Sequence, residues 1–177
     1  MSANLKSVGK GETVMVKLIE DFARLFGAKL SLEKGLVIKR KNKFFLLGSS
    51  LEKLAEKRGN WLFAGIYLGK IEDGKFFPSF PLLFMIADQA QNKVVVDDKA
   101  AWLFVCGRDL FKEGILEAYG LRSKGVYTLI FNRYGECLGF GRIERGLDEA
   151  KSGTVIKNIF DIGDFLRRER DIKVSET

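Results

Sequence analysis

The stretch FDIGDFLRRERDIK, residues 160–173, places Arg167, Arg168, Arg170 and Lys173 directly after Phe160, Ile162, Phe165 and Leu166, whose spacing is that of a short amphipathic turn. Cations fixed beside an apolar anchor can hold phosphate groups, because a tethered side chain spends less ordering entropy on contact than a loose tail does. The same run also fits the solvated face of a terminal turn, where a cation near a helix C-terminus gains about 0.3–1 kcal/mol from the dipole. Asp161 and Asp164 at its start and the cations at its end suit either reading.

A second basic cluster, Lys39, Arg40, Lys41 and Lys43 in IKRKNKFF, surrounds a turn and is followed by Phe44 and Phe45. It reads either as a phosphate-tracking tip beside stacking rings or as alternating strands with cations outward and phenylalanines in the core. Tyr134, at the apex of NRYGE, is placed to stack on a base or is an ordinary exposed turn residue. Catalytic chemistry finds less support. The chain has no histidine, which removes Ser-His and Cys-His couples and imidazole-bearing metal sites. Cys106 and Cys137 stand apart rather than in C-x-x-C pairs, so they suggest neither a zinc ligand set nor a disulfide framework. Asp97-Asp98 reads as a helix N-cap rather than a carboxylate dyad. Gly139, Gly141 and Gly146 lack the spacing of a dinucleotide-binding loop.

The chain carries a net charge of +7 with a sequence pI near 9.4, a balance that favours polyanionic partners. The excess is uneven. Residues 1–92 hold 15 Lys and Arg against 9 Asp and Glu, and residues 93–177 hold 15 against 14. An anion site in the second half must therefore come from segregated charge. No apolar run reaches the ~18 residues of a membrane span, and MSANLKSVGKGE does not have the pattern of a signal peptide, so a soluble protein with no membrane partner is expected.

Two textures must position these groups. TVMVKLIEDFARLFG puts Met15, Leu18, Ile19, Phe22, Leu25 and Phe26 on one helical face, with Gly27 as C-cap. AKLSLE, GLVIKRK and KFFLLG read as strands, SSLEKLAEKRG as a helix with Ser49 and Glu52 in capping-box register, WLFAGIYLGKIEDGKFF as a strand running to a turn at Asp73-Gly74, and PLLFMIADQAQ as a helix. After Asn92 come short glycine-separated segments: KVVVDD as a strand, DKAAWLFVCG as a helix, DLFKEGILEAYG, KGVYTLIFN, ECLGFGRIE and TVIKNIF as strands. The expectation is an α/β (α+β) N-terminal domain over 1–92 followed by a small mixed β-barrel over 93–177, packed together rather than tethered.

The segments KVVVDDKAAWLFVCGRDLFKEGIL, GVYTLIFNRYGECLGFGRIE and IFDIGDFLRRE resemble a PUA domain, the RNA-binding module named after pseudouridine synthases and archaeosine transglycosylases. With GLVIKRKNKFFLLGSSLEKLA and LFAGIYLGKIEDGKFFPSF before them, roughly residues 12–170 resemble the Nip-seven family of large-subunit ribosome biogenesis factors. The resemblance implies a non-catalytic protein, and with no histidine and two isolated cysteines neither cofactor nor metal is expected. Its N-terminal domain would dock to other ribosome-assembly or RNA-processing proteins, and its PUA domain would bind single-stranded precursor ribosomal RNA. It implies RNA contacts at Arg167 and Arg168, which follow the matching DIGDFL, then at Arg170 and Lys173, and secondary contacts at Lys99 and Arg108 around the helix after the first PUA strand. The hairpin residues Lys39, Arg40, Lys41 and Lys43 remain possible further contacts. The compartment implied is the cytoplasm for an archaeal source and the nucleus or nucleolus for a eukaryotic one. The alternatives are a protein-protein adaptor of an RNA-processing or RNA-degrading complex, and the specificity subunit of an RNA-modifying enzyme.

Overall fold

The structure is a computed structural model that describes residues 8–32, 37–48, 65–164 and 167, with side chains from Val16 onward. The chain divides into two compact units, one of Met1–Arg24 and Lys29–Ile86, the other of Leu25–Ala28 and Ala87–Thr177.

In the first unit, helix α1 (Val8–Arg24) buries Val16, Ile19, Phe22 and Ala23. A four-stranded antiparallel sheet follows in the order β1 (Val37–Arg40), β2 (Lys43–Leu46), β3 (Ile66–Glu72), β4 (Lys75–Pro78). The β3–β4 turn is made by Asp73 (φ 49°) and Gly74 (φ 72°), the left-handed pair that a two-residue hairpin demands. Phe44 and Phe45 are both fully buried, although neighbours on a regular strand face opposite sides. The β2–β3 register slips between them, since Phe44 pairs with Gly69 and Phe45 with Tyr67. Phe76 lies edge-on to both Phe22 and Phe44, at 5.5 and 6.0 Å between centroids. Helix α2 (Phe80–Ala87) starts behind Ser79, whose Oγ accepts from Leu82 N at 3.3 Å, and buries Leu82, Leu83 and Ile86.

Two expectations differ here. The described part of AKLSLE, residues 28–32, forms no strand, and Leu32 N instead donates to Glu20 Oε1 at 3.5 Å. Helix α1 ends before Leu25 and Phe26, so these two do not extend its apolar face. Phe26 belongs to the second unit, where it is fully buried and meets Phe140 edge-on at 5.4 Å. The helix expected around Ser49 and Glu52 lies outside the described residues.

The second unit is a curled six-stranded half-barrel, ordered β6 (Leu110–Phe111), β10 (Thr154–Asp161), β9 (Cys137–Ile143), β8 (Tyr127–Asn132), β5 (Lys93–Val96), β7 (Ile115–Tyr119). All neighbours are antiparallel except β5 and β8. Helix α3 (Asp98–Val105) packs Ala100 and Phe104 into a core with Val94, Val96, Leu110, Ile130 and Ile156. DLFKEGILEAYG is not one strand: the short β6 gives way to a 3-10 turn at Lys112–Gly114 before β7 begins. Among the described residues no helix is long and apolar enough to cross a membrane.

Candidate nucleic-acid interface

Helix α3 organises the site. Asp97 caps its start, accepting from Ala100 N at 2.7 Å, while Asp98 pairs with Arg133 at 3.0 Å, so the two carboxylates serve as cap and surface ion pair. Its other end closes as a Schellman turn: Gly107, at φ 84°, donates to Phe104 O at 2.8 Å and Arg108 N to Leu103 O at 3.0 Å.

Side chains from β10 and beyond add further hydrogen bonds to the carbonyls at that end. Asn158 Nδ2 donates to Phe104 O at 2.8 Å, to Asp161 Oδ2 at 3.2 Å and to Arg108 O at 3.4 Å, while its main-chain N–H reaches Asp109 Oδ1 at 2.9 Å. Residues 158 and 161 would face opposite sides of a regular strand. The β9–β10 register shifts between Asn158 and Phe160, and that bulge brings both toward α3. Arg167 Nη1 donates to Val105 O at 2.6 Å and Nη2 to Asp161 Oδ2 at 2.7 Å, with Asp164 Oδ1 at 4.0 Å. Hydrogen bonding to Asp161 is the chief cause of an Arg167 pKa above its ordinary value.

Two adjoining cavities of about 440 and 490 Å³ open beside α3 and share Leu103, Asp109 and Phe111. Lys99 and Gly114 line the first, Gly107, Arg108 and Thr154 the second. Lys99 and Arg108 are exposed, and Phe111 presents a ring that is 52% exposed. The acidic lining is turned to main-chain amides: Asp97 and Asp109 as described, and Glu113 to Gly153 N at 3.2 Å. The cleft therefore offers a cation in each cavity, an aromatic face shared by both, and carboxylates already engaged.

The sequence-derived residues separate into groups. Lys99 and Arg108 lie in the joined cavities, and Arg167 adjoins them at Gly107, where an added Cβ would stand 3.3 Å from its guanidinium carbon. Arg168, Arg170, Lys173, Phe165 and Leu166 lie outside the described residues. Lys39, Arg40, Lys41 and Lys43 are in the first unit, where Lys41 takes the left-handed turn position (φ 55°) and Lys39 Nζ sits 5.9 Å over the Phe44 ring. With Phe44 and Phe45 both in the core, that hairpin has no ring of this pair to stack on a base. Tyr134 is 76% exposed at the β8–β9 turn, held by Asn132 Oδ1, which accepts from Tyr134 N and Glu136 N. Phe111 and Asn158 went unrecognised in the sequence, where Asp161 counted only as the acidic start of the cationic run. Among the described residues no group of three or more Cys, Asp or Glu could hold a metal ion. Burial pushes the Cys137 thiol up to about 11.

A curled half-barrel with a helix between its first two strands is the fold of a PUA-like domain, and residues 92–170 match the family model described as the UPF0113 PUA domain. A UPF0113 protein of Archaeoglobus fulgidus is 26% identical over 112 residues, 61% of this chain and 63% of that protein, so the chain spans less than two thirds of that relative's length. Two solved structures are similar across most of the chain. One is a conserved PUA domain protein from Thermoplasma acidophilum (TM-score 0.61, 23% identity, 88% of this chain and 94% of that one). The other is a hypothetical protein from Pyrococcus horikoshii (TM-score 0.55, 18% identity, 87% and 95%). At these identities the likeness is one of fold.

Proposed function

We propose that this chain is a non-catalytic RNA-binding protein whose domain of residues 93–177 holds a single-stranded segment along the cleft beside α3. The observation that carries the reading is the joined cavity pair with Lys99, Arg108 and the exposed Phe111, set in a domain that matches a PUA model. Lys99 and Arg108 neutralise phosphates and Phe111 stacks a base, and the resemblance adds Arg168, Arg170 and Lys173 as further phosphate contacts. The resemblance to the Nip-seven family supports precursor ribosomal RNA of the large subunit as the ligand. The domain of residues 1–92 then docks to other assembly or RNA-processing proteins, and its basic hairpin at Lys39–Lys43 offers a second contact. The protein acts in the cytoplasm of an archaeon or the nucleus or nucleolus of a eukaryote.

Replacing Lys99 and Arg108 together with alanine tests this reading. Titration of a labelled oligoribonucleotide at several salt concentrations is expected to show weaker binding and a slope of log K on log salt flatter by about 1.4, from roughly 0.7 per phosphate on a single strand. Unchanged affinity and slope in the folded variant would overturn the cleft as the RNA site. A second reading, a protein-binding adaptor, is favoured by Leu116, Tyr119 and Leu121, which are exposed on and just beyond β7, one of the two edge strands of the half-barrel.

A further inference from the structure

We infer that Arg167 is a positioning residue of this interface: it locks the end of α3 to Asp161 and so fixes the Gly107–Arg108 loop at the cleft, instead of contacting phosphate itself. The inference rests on the RNA-binding reading and assigns one of its cations a different task.

The Schellman turn satisfies Leu103 O and Phe104 O but leaves Val105 O, the last helical carbonyl, pointing out of α3. Arg167 Nη1 fills that position at 2.6 Å while Nη2 holds Asp161 at 2.7 Å, so one rigid guanidinium joins the helix end to β10. The backbone is shaped for this approach. A Cβ at Gly163 would lie 2.0 Å from Val105 O and 2.8 Å from Arg167 Nη1. Asp161 is 2% exposed, and its Oδ1 makes no hydrogen bond among the described residues, so the carboxylate depends on Arg167 and Asn158 at Oδ2. Turning Arg167 outward to RNA would strand a buried carboxylate beside a polyanion, which costs more than one phosphate contact returns. Arg108 gains from the lock, since its N–H and C=O are both tied into the same network, to Leu103 O and Asn158 Nδ2.

Arg167→Lys and Asp161→Asn, singly and combined, separate the two tasks. A lysine keeps the charge but cannot span both acceptors, and its site is 41% exposed at the side chain, so the variant is expected to fold. Asp161→Asn removes a negative charge. If Arg167 met phosphate directly, that change would strengthen RNA binding and Arg167→Lys would leave it nearly unchanged. A lock predicts the opposite: each variant binds a single-stranded oligoribonucleotide roughly tenfold more weakly, as for the loss of one charge-assisted hydrogen bond, and the double variant is no worse than either. Hydrogen exchange at the Gly107 and Arg108 amides, measured without RNA, is expected to speed up in both. Unchanged exchange, tighter binding by Asp161→Asn, or full binding by Arg167→Lys would overturn the lock. Faster exchange in a protein whose wild type binds no RNA would uphold the lock and sink the RNA-binding reading instead.

Discussion

Asn158 carries the densest set of contacts in the interface, and its replacement gives a prediction with a definite sign. Its Nδ2 faces only acceptors: Phe104 O at 2.8 Å, Asp161 Oδ2 at 3.2 Å and Arg108 O at 3.4 Å. Alanine removes one good bond and two long ones. At about 1 kcal/mol for the first and 1–2 kcal/mol for acceptors left poorly paired, Asn158→Ala should cost about 2–3 kcal/mol. Hydrogen exchange at the β8 and β9 amides reads this unit by itself, which suits a chain of two units, and opening should become roughly 30- to 150-fold more frequent. Asn158→Asp is nearly isosteric yet should cost more at neutral pH, because an ionised carboxylate would meet a second carboxylate and two carbonyls. Its folded pKa is then raised above the ordinary value of ~3.9. Between the two values the folded state binds more protons than the unfolded one, so the deficit relative to wild type grows as pH rises through ~4 and shrinks on acidification, where the protonated group can donate to Phe104 O. An Asn158→Asp protein as stable as wild type at pH 7 would refute the network.

Phe111→Ala is expected to weaken single-stranded RNA binding by about 5- to 150-fold, the range for one stacked base, with the salt slope unchanged because no charge is lost. A changed slope at constant affinity would remove the stacking role. Cys137, with its thiol pushed up to about 11 by burial, should have only about one thiolate per thousand at pH 8 and resist alkylation until the protein unfolds, while the exposed Cys106 is labelled in the native state. Since that folded pKa lies above the thiol's ordinary value, wild type should lose stability between about pH 9 and 11 and Cys137→Ser should not show that loss. Equal labelling of the two cysteines in native protein would contradict the burial.

Local signals were legible where local physics sets the outcome. Asp97 before an apolar helix, Asp73-Gly74 between two strands and Gly107 after α3 each satisfy a backbone need within a few residues, and each sits where the sequence places it. The failures involve distant partners. The apolar spacing that puts Phe26 on the face of α1 is genuine, yet the helix stops at Arg24 and the ring is claimed by Phe140, more than a hundred residues later. Leu30 and Leu32 alternate as a strand would, but among the described residues no strand pairs with them. DLFKEGILEAYG has strand composition throughout, and the break at Lys112–Gly114 lies where Gly114 passes Ala100 on α3, so closely that an added Cβ would stand 2.5 Å from the alanine Cβ.

The candidate site was half legible for the same reason. A run of cations announces that charge is segregated, but says nothing of which cation meets solvent. Arg167 and Arg168 are chemically identical neighbours in the sequence, and the task of Arg167 is set by Val105 and Asp161, 62 and 6 residues away. Asn158 is an unremarked polar residue inside a strand until a bulge turns it toward α3. Lys99 and Arg108, which rest in the sequence on family resemblance alone, gain a physical basis only when β6 folds beside α3 and forms the cleft between them. The general consequence concerns basic domains of this kind. Each arginine in a cationic run that follows a buried aspartate has to be tested as a structural partner before it is counted toward an RNA footprint, because satisfying a desolvated carboxylate takes precedence over one screened phosphate contact.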